Sequence, residues 1–284
     1  MKKIAHILLL SSLVISLSAQ TFSDEETLRI DLDGIGEVGL YIHRGDIKVV
    51  GSNTNQAVLK YTRKLKSASK KKLEEAKSEI KLVTEKDNGV LRIFHEAPDL
   101  KFKVDPDGRG HYQSPNWNNW NDRYQVSFEF VIVLEVPEGL NLEVSNHHSG
   151  LAVRGVTGDI RAHNHHEDLE INDAGANVQA ESHHGDVTVS HTMNPTSDSY
   201  YETHHGDIRV SYRSGLNAEA NLHTHHGAFY SDFDWDYSPL KVSQTKSSKG
   251  TKYKIGKDTV VKIGEGGPTL DFHTHHGSIY LLSN

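Results

Sequence analysis

Six histidine pairs recur in the second half of the sequence, and their regular spacing constrains the fold more than any other feature. The pairs begin at residues 147, 165, 183, 204, 225 and 275, so successive copies are 18, 18, 21, 21 and 50 residues apart. Glycine directly follows each of the last four pairs. Copies at a short, nearly constant period are typical of repeat proteins, in which each copy buries its apolar face only by stacking on its neighbours.

Apolar and polar residues alternate on both sides of this glycine position. Five residues before it lie Val144, Ala162, Ala180, Tyr201, Leu222 and Phe272. Two residues after it lie Leu151, Leu169, Val187, Ile208, Phe229 and Ile279. The inward-facing residues lie at odd-numbered positions before the glycine and at even-numbered positions after it. This change indicates a strand, a tight corner and a second strand. Glycine suits such a corner because it tolerates positive φ.

We therefore predict an all-β protein whose copies stack as a single-chain β-solenoid, with strands at the usual spacing of about 4.8 Å. The long gap after the fifth pair predicts an insertion over 231–248 and then a coil without histidines over 252–263. Residues 41–49, with His43 two places before Gly45, fit the same frame. They are interpreted as a first, divergent copy.

The residues before the repeats, 20–136, predict a β-rich part with one short surface helix. Lysine, glutamate and alanine dominate 66–78, where Leu73 and Ala76 share one face. A polar segment over 99–123 that contains Trp117 and Trp120 is interpreted as a loop. Its tryptophans either contact a sugar or a protein or fold back onto the flank of the solenoid. The histidine-rich repeats occupy 137–284.

The first residues predict export. Lys2 and Lys3 precede an apolar run over 7–17, and Ser18 and Ala19 then lead into a polar residue. This order is typical of a signal peptide over 1–19, and the run is short for a transmembrane helix. We expect no transmembrane segment after cleavage, and a location in the periplasm, on the outer surface or outside the cell.

Composition excludes several classes of protein and site. The chain has no cysteine, which excludes disulfides and thiolate metal sites. Its formal charge is −7, and removal of Lys2 and Lys3 makes it −9, which is not the basic footprint of a nucleic-acid-binding protein. Of the 20 histidines, 19 follow the predicted signal. Histidine titrates near pH 6.5, so we expect mild acid to protonate them and to displace any bound metal.

Short motifs recur in a characteristic order through the repeats. They include Val-Leu-Glu-Val-Pro at 133–137, Leu-Glu-Val at 142–144, Gly-Asp-Ile at 158–160 and 206–208, Gly-Asp-Val at 185–187, Gly-Glu-Gly-Gly at 264–267 and Gly-Ser-Ile at 277–279. The sequence thereby resembles the putative-adhesin family of bacterial β-strand-repeat proteins. The resemblance implies a β-solenoid-like fold outside the cytoplasm and no catalytic residues. That family's corner usually reads Ser-Gly or a similar small pair, whereas this one reads His-His-Gly, which indicates an additional property.

Outward-facing histidines and glutamates are the candidate metal ligands. The first histidine of each pair lies on the outward parity, and the position two residues earlier holds histidine in three copies and glutamate in two. Residues i and i+2 of a strand share a face and can share a metal ion. Imidazole with carboxylate suits zinc, copper or nickel. The candidates are His147, His163, His165, Glu181, His183, Glu202, His204, His223, His225, His273 and His275.

The same residues also have a purely structural interpretation. Outward histidines can form a polar ladder, and the second histidine of each pair can sit inside the corner. The aspartates after the corner, Asp168, Asp186 and Asp207, either orient metal-bound histidines or cap the corners. The position three before the glycine is expected to bond the backbone at the corner; its residues are Asn146, Asn164, Ser182, Thr203, Thr224 and Thr274.

These observations predict a secreted cell-envelope protein that acts as a binding or adhesin-like module and binds divalent metal on its histidines. The alternative is a structural or adhesive surface protein without metal. A polysaccharide-acting enzyme is the third interpretation, and we expect no enzyme because a repeated face lacks the unique constellation that catalysis requires. The expected partner is a protein or glycan of the cell surface or envelope. Open strand edges would also allow end-to-end self-association.

Overall fold

The computed structural model describes residues 19–98, 100–113, 125–175, 177–237, 242–247, 250–255 and 259–284. Trp117, Trp120 and nearly all of the predicted signal peptide lie outside these residues. One helix is present in the described chain, α1 (Lys70–Glu79). The strands of the first half are β1 (Gln20–Asp31), β2 (Glu37–Arg44), β3 (Ile47–Ser52), β4 (Gln56–Ser67), β5 (Lys81–Asp87), β6 (Val90–Glu96), β7 (Lys101–Val104), β8 (Gly110–Gln113) and β9 (Val126–Pro137).

The second half consists of shorter strands. They are β10 (Asn141–His148), β11 (Leu151–Arg154), β12 (Ile160–Asn164), β13 (Leu169–Ala174), β14 (Val178–Ser182), β15 (Val187–His191), β16 (Ser199–Thr203), β17 (Ile208–Tyr212), β18 (Ala218–Thr224), β19 (Phe229–Ser231), β20 (Trp235–Tyr237), β21 (Val242–Ser247), β22 (Gly250–Ile255), β23 (Thr259–Ile263), β24 (Thr269–Thr274) and β25 (Ile279–Ser283). The predicted all-β class with one helix is confirmed.

Two large sheets contain most of these strands. The ten-stranded sheet has the order β1-β4-β9-β3-β11-β13-β15-β17-β25-β19. The eleven-stranded sheet has the order β20-β23-β18-β24-β16-β14-β12-β10-β2-β6-β5. From β10 to β19 the chain alternates between the two sheets, and each strand pairs in parallel with the strand of a neighbouring copy.

Pairing between copies is in register, and the predicted inward positions form the core. In the eleven-stranded sheet Ala162 is opposite Val144 on one side and Ala180 on the other. In the ten-stranded sheet Leu169 lies between Leu151 and Val187. All six side chains are at most 2% exposed, because each is covered by the neighbouring copies and by the facing sheet. Period-two alternation therefore identified the core correctly.

The order of the copies in space differs from their order in the sequence. The last copy, β24 and β25, lies between β16 and β18 in one sheet and between β17 and β19 in the other. The predicted histidine-free coil over 252–263 is wrong. Strand β23 instead runs antiparallel along the outer edge of β18, and β22 pairs with β21 in a separate hairpin. The insertion reverses the chain before β23, which sequence spacing alone does not reveal.

Except for β7 and β8, which form a separate pair, the strands that begin before residue 137 belong to the same two sheets as the repeats. Strand β2 pairs in parallel with β10, and β3 pairs in parallel with β11. The interpretation of residues 41–49 as a first copy is thereby confirmed. The division of the chain into 20–136 and 137–284 stays a prediction. No helix in the described part of the chain combines the length and the apolar character needed to cross a membrane.

Helix α1 covers the antiparallel strands beside the first copies. It begins at Lys70, four residues later than predicted, because Lys66 and Ser67 still pair with β1 and β9. Ser69 caps the helix by accepting a hydrogen bond from the Lys72 amide, and Leu73 and Ala76 are buried as predicted. The helix thus provides an apolar cover at this end of the sheets.

The predicted polar loop over 99–123 contains a hairpin. Strands β7 and β8 pair antiparallel, which corrects the interpretation of this segment. Phe102 stacks on Phe94 with ring centroids 4.3 Å apart, and the Tyr112 hydroxyl lies 2.7 Å from Nδ1 of His95. These contacts hold the hairpin against β6, next to the first histidine copies. The proline and glycine residues around it concealed the short strands in the sequence.

Candidate functional site

Glycine is required at the corners because neighbouring copies approach closely. A Cβ atom at Gly206 would lie 2.4 Å from the Gly185 carbonyl oxygen, and one at Gly277 would lie 1.8 Å from that of Gly206. The expected positive φ is wrong for the His-His-Gly corners, since Gly185, Gly206, Gly227 and Gly277 are not among the described residues with positive φ. Stacking of backbone on backbone, and not local turn geometry, therefore selects glycine here.

The small polar residues three positions before the glycine tie each corner to its neighbour. The Asn164 side-chain amide donates to the Ser149 carbonyl of the neighbouring corner at 3.1 Å, and to the Glu167 and Asp168 carbonyls of its own corner at 3.0 Å. The Thr203 hydroxyl donates to the Gly185 carbonyl at 2.7 Å. Thr274 and Thr224 make the same bond to the next corner along. The predicted structural role of this position is confirmed.

The corner aspartates also bond the backbone. Oδ1 of Asp168 accepts the Asp186 amide at 2.9 Å, and Oδ1 of Asp186 accepts the Asp207 amide at 2.9 Å. Asp207 in turn accepts the Ser278 amide at 2.8 Å. Arg209 links Asp186 and Asp207 by ion pairs of 2.8 and 2.6 Å. These contacts favour the capping interpretation over a role in orienting histidines.

On this scaffold the histidine pairs form two adjacent columns, which together we call the histidine ladder. The first column, in spatial order, is His147, His165, His183, His204, His275 and His225. The second column is His148, His166, His184, His205, His276 and His226. Rings in the first column stack 4.4–5.1 Å apart and within 9° of parallel as far as the fifth ring, and the last step is 4.6 Å at 33°. Rings in the second column stack 4.5–5.4 Å apart within 9° of parallel.

The two columns lie side by side with their rings steeply inclined. In the first five copies of the spatial order, the centroids of a pair are 4.3–4.4 Å apart and their planes differ by 59–75°. Backbone hydrogen bonds between copies continue through the corner, for example from the His184 amide to the His165 carbonyl at 3.1 Å. The corner thus holds both rings in nearly the same orientation in the first five copies of the spatial order.

In the described part of the chain, three groups of three histidines bring ring nitrogens within 4.8 Å of one another. They are His43 with His147 and His148, His147 with His165 and His166, and His165 with His183 and His184. Each group includes the second histidine of a pair, which sequence reasoning had interpreted as structural. The position shares its parity with buried residues, but the corner turns its side chain back towards the first column. Among the predicted ligands, the structure places His147, His165 and His183 in such groups.

The other predicted ligands lie beside these groups. His204, His225 and His275 continue the first column. The positions two residues before it form a third column in spatial register, namely His163, Glu181, Glu202, His273 and His223. The Tyr200 hydroxyl donates to the Glu202 carboxylate, and the His223 ring lies 5.1 Å from that of His225. No member of this third column belongs to the three-histidine groups found in the described residues.

Burial and mutual repulsion keep the start of the ladder uncharged. His43 is 9% exposed, and its pKa falls to about 3, first because of burial and then because of the neighbouring histidines. The same causes lower the pKa of His147 to about 2, and those of His148 and His165 to about 4. The expected titration near pH 6.5 therefore does not hold for this part of the ladder. Neutral imidazoles keep a lone pair available for a metal ion.

A cleft of about 460 Å³ opens between the β7–β8 hairpin and the first copies. Three predicted ligands line it, His147, His163 and Glu181. Its wall includes Glu143, which is 6% exposed and accepts the Gly110 amide of the hairpin at 3.3 Å. Burial raises the pKa of Glu143, against the opposing effect of Arg161. The hairpin thus shields the start of the ladder, while the later copies face outward.

No family model matches the sequence, and no curated protein matches it. Solved structures to which the chain is similar include a putative cell adhesion protein from Clostridium sporogenes, with 12% identity and a TM-score of 0.40 over 93% of this chain and 100% of that one. A putative adhesin from Bacteroides fragilis has 10% identity and a TM-score of 0.30 over 92% and 97%. A putative lipid binding protein from Parabacteroides distasonis has 11% identity and a TM-score of 0.27 over 91% and 96%. Similarities at these TM-scores do not show a shared family. Membership of the adhesin family stays a prediction.

Proposed function

We propose that this chain is an exported cell-envelope binding module of the adhesin type, built as a stacked β-solenoid, whose histidine ladder binds divalent transition-metal ions. The carrying observation is the set of three-histidine groups with ring nitrogens within 4.8 Å. Zinc lies 2.0–2.1 Å from a histidine nitrogen, so modest ring rotations would bring three nitrogens onto one ion. Neutral imidazole suits zinc, copper and nickel.

Export and partner are part of the same proposal. The charged, apolar and small-residue order at the start of the sequence supports export through a signal peptide. The proposed partner is a protein or glycan of the cell surface or envelope, as the sequence resemblance implies. We propose binding and not catalysis, because the ladder repeats one chemistry in successive copies.

Zinc titration by calorimetry of the purified protein tests the metal proposal. The double variant H147Q/H165Q removes at least one member from each of the three groups, so we expect a loss of affinity of at least tenfold. The matched control is H111Q, an exposed histidine outside the ladder, which should bind zinc as the wild type does. The variant E181Q/E202Q tests the predicted carboxylates, and it should change the affinity by less than threefold.

The pH dependence of zinc binding follows from the lowered pKa values. Because His148 and His165 have pKa values of about 4, they stay neutral at pH 5.5. We therefore expect zinc binding at pH 7.5 to persist at pH 5.5 and to disappear only near pH 4. A wild-type protein that binds no zinc at pH 7.5 would instead support the alternative, a structural or adhesive surface protein whose histidines form a polar ladder.

A further inference from the structure

We propose that the exposed part of the histidine ladder joins two copies of this chain, which face each other ladder to ladder and share the bound metal ions. This inference rests on the proposed metal binding and specifies the partner. The relevant histidines belong to the later copies, and none of them lines the cleft beside the β7–β8 hairpin. His183, His184, His204, His205 and His226 are all exposed.

The histidines of a single chain do not complete the coordination of a zinc ion. Each group of ring nitrogens found in the described residues contains three histidines, whereas zinc in structural sites takes four ligands. The stacked rings of a column are nearly parallel, so their lone pairs converge on one ion only after the rings rotate. Nδ1 of His165 and of His275 is buried without a hydrogen-bond partner, which leaves the Nε2 edge for an approaching ion.

Within one copy, the inclined rings of a pair provide the best convergence. His183 and His184 have ring centroids 4.3 Å apart and planes 75° apart, and His204 and His205 are 4.3 Å and 73° apart. An ion held by such a pair keeps two open positions. A second pair of imidazoles with the same geometry would match these two positions chemically, and the ladder of a second chain presents such a pair.

The regular spacing makes the ladder complementary to itself. The repeats within one chain stack at strand spacing, about 4.8 Å. Two ladders that touch at one repeat are therefore also in register at the next repeat. A two-fold axis would place the same surface on both sides, as in most homodimers. Several bridging ions then act together, and each later one binds at high effective concentration. A partner without this repeat would match one ion at most.

Charge also favours a metal-dependent contact. The chain as a whole is formally −7, which disfavours pairing of two copies without ions. Divalent cations between the ladders would offset this repulsion. Pairing should therefore require metal and should be reversed by a chelator.

The molar mass in solution, measured by sedimentation equilibrium with zinc chloride or with EDTA, tests the inference. We expect a monomer in EDTA and a dimer with zinc at pH 7.5. The variant H204Q/H205Q/H226Q/H276Q changes only exposed side chains, none of which belongs to the three-histidine groups of the described residues. It should still bind zinc by calorimetry but dimerise at least tenfold more weakly than the wild type. The control H111Q should dimerise like the wild type.

A second measurement does not depend on the histidine variants. The chain has no cysteine, so E167C provides a single site for a spin label at an exposed corner residue beside the ladder. Zinc should produce dipolar broadening between labels on two copies. A label at R154C, at the far end of β11 from the corner and 70% exposed, should show little.

The outcomes separate this inference from the proposed function. Zinc binding without a change in mass would overturn the pairing and leave the metal proposal standing. The same holds if the fourfold variant dimerises like the wild type, or if the label at 154 broadens more than the label at 167. If zinc fails to bind the wild type, both proposals fail together.

Discussion

At the scale of single residues, close packing between neighbouring copies determines which substitutions the corners tolerate. Gly206 has no room for a side chain, because a Cβ atom would meet the Gly185 carbonyl oxygen at 2.4 Å. Gly139, in contrast, has no atom within 4 Å of such a Cβ. We predict that G206A lowers the free energy of unfolding by about 1–3 kcal/mol and that G139A changes it by under about 0.5 kcal/mol. Urea denaturation of both variants measures the difference, and equal effects would contradict close packing at the corner.

Buried histidines outside the ladder also have a consequence that belongs to single residues. His95 is 1% exposed and His191 is 3% exposed, and burial lowers their pKa values to about 3 and about 4. In the unfolded chain both would titrate near pH 6.5. Their contribution to stability is therefore complete above about pH 6.5 and is lost as the pH falls towards 4.

This titration predicts acid destabilisation with a measurable slope. Each histidine that is neutral in the folded state and protonated in the unfolded state adds about 1.4 kcal/mol per pH unit to the slope of the unfolding free energy against pH. The variant H191F keeps a ring against Tyr212, whose centroid lies 4.2 Å from that of His191, and removes one titrating group. We expect the slope of unfolding free energy between pH 6 and pH 4.5 to fall by about one proton, whereas H111Q should leave it unchanged. A slope unaffected by H191F would contradict the assigned pKa.

At the scale of elements, the placement of β24 is the feature that sequence could not provide. Strand β24 is the second-last strand of the chain, yet it is paired with β16 on one side and β18 on the other. Its amides should therefore exchange with solvent as slowly as those of β14, although chain termini usually fray. Hydrogen exchange followed by mass spectrometry measures this, with the edge strand β20 as the fast control. If the β24 amides exchanged as fast as those of β20, the placement of β24 between β16 and β18 would be contradicted.

The outcome for each element shows where sequence reasoning succeeds. Alternation at period two identified the inward residues, such as Ala162 and Val187, because a one-residue shift would expose every apolar side chain. It could not identify which copy neighbours which, because residues such as Phe272 and Leu222 fit either side equally well. The hairpin of β7 and β8 was missed since its strands are four residues long and bordered by glycine and proline.

The candidate site was only half predictable for a related reason. The first column followed from outward parity. The second column, including His166 and His184, occupies a parity that predicts burial, and only the geometry of the corner turns it outward. The contacts of Asp186 depend on the distance between copies, which no single repeat contains.

At the scale of the whole molecule, the two sheets support a continuous ladder that begins under the β7–β8 hairpin and ends in exposed copies. Antiparallel strands border both ends of the eleven-stranded sheet, whereas the ten-stranded sheet ends at the three-residue β19 on one side and at the twelve-residue β1 on the other. The β19 edge offers little backbone for another chain, and the β1 edge offers more. End-to-end association stays a prediction, and pairing through the ladder is the association that we propose.

The central claim is that zinc binds to the ladder through imidazole nitrogen. X-ray absorption at the zinc edge, on protein loaded with one equivalent of zinc at pH 7.5, tests it most directly. The account predicts a first shell dominated by nitrogen at about 2.0 Å, with the outer-shell scattering of at least two imidazole rings. A first shell of oxygen alone, or one without imidazole scattering, would contradict the account.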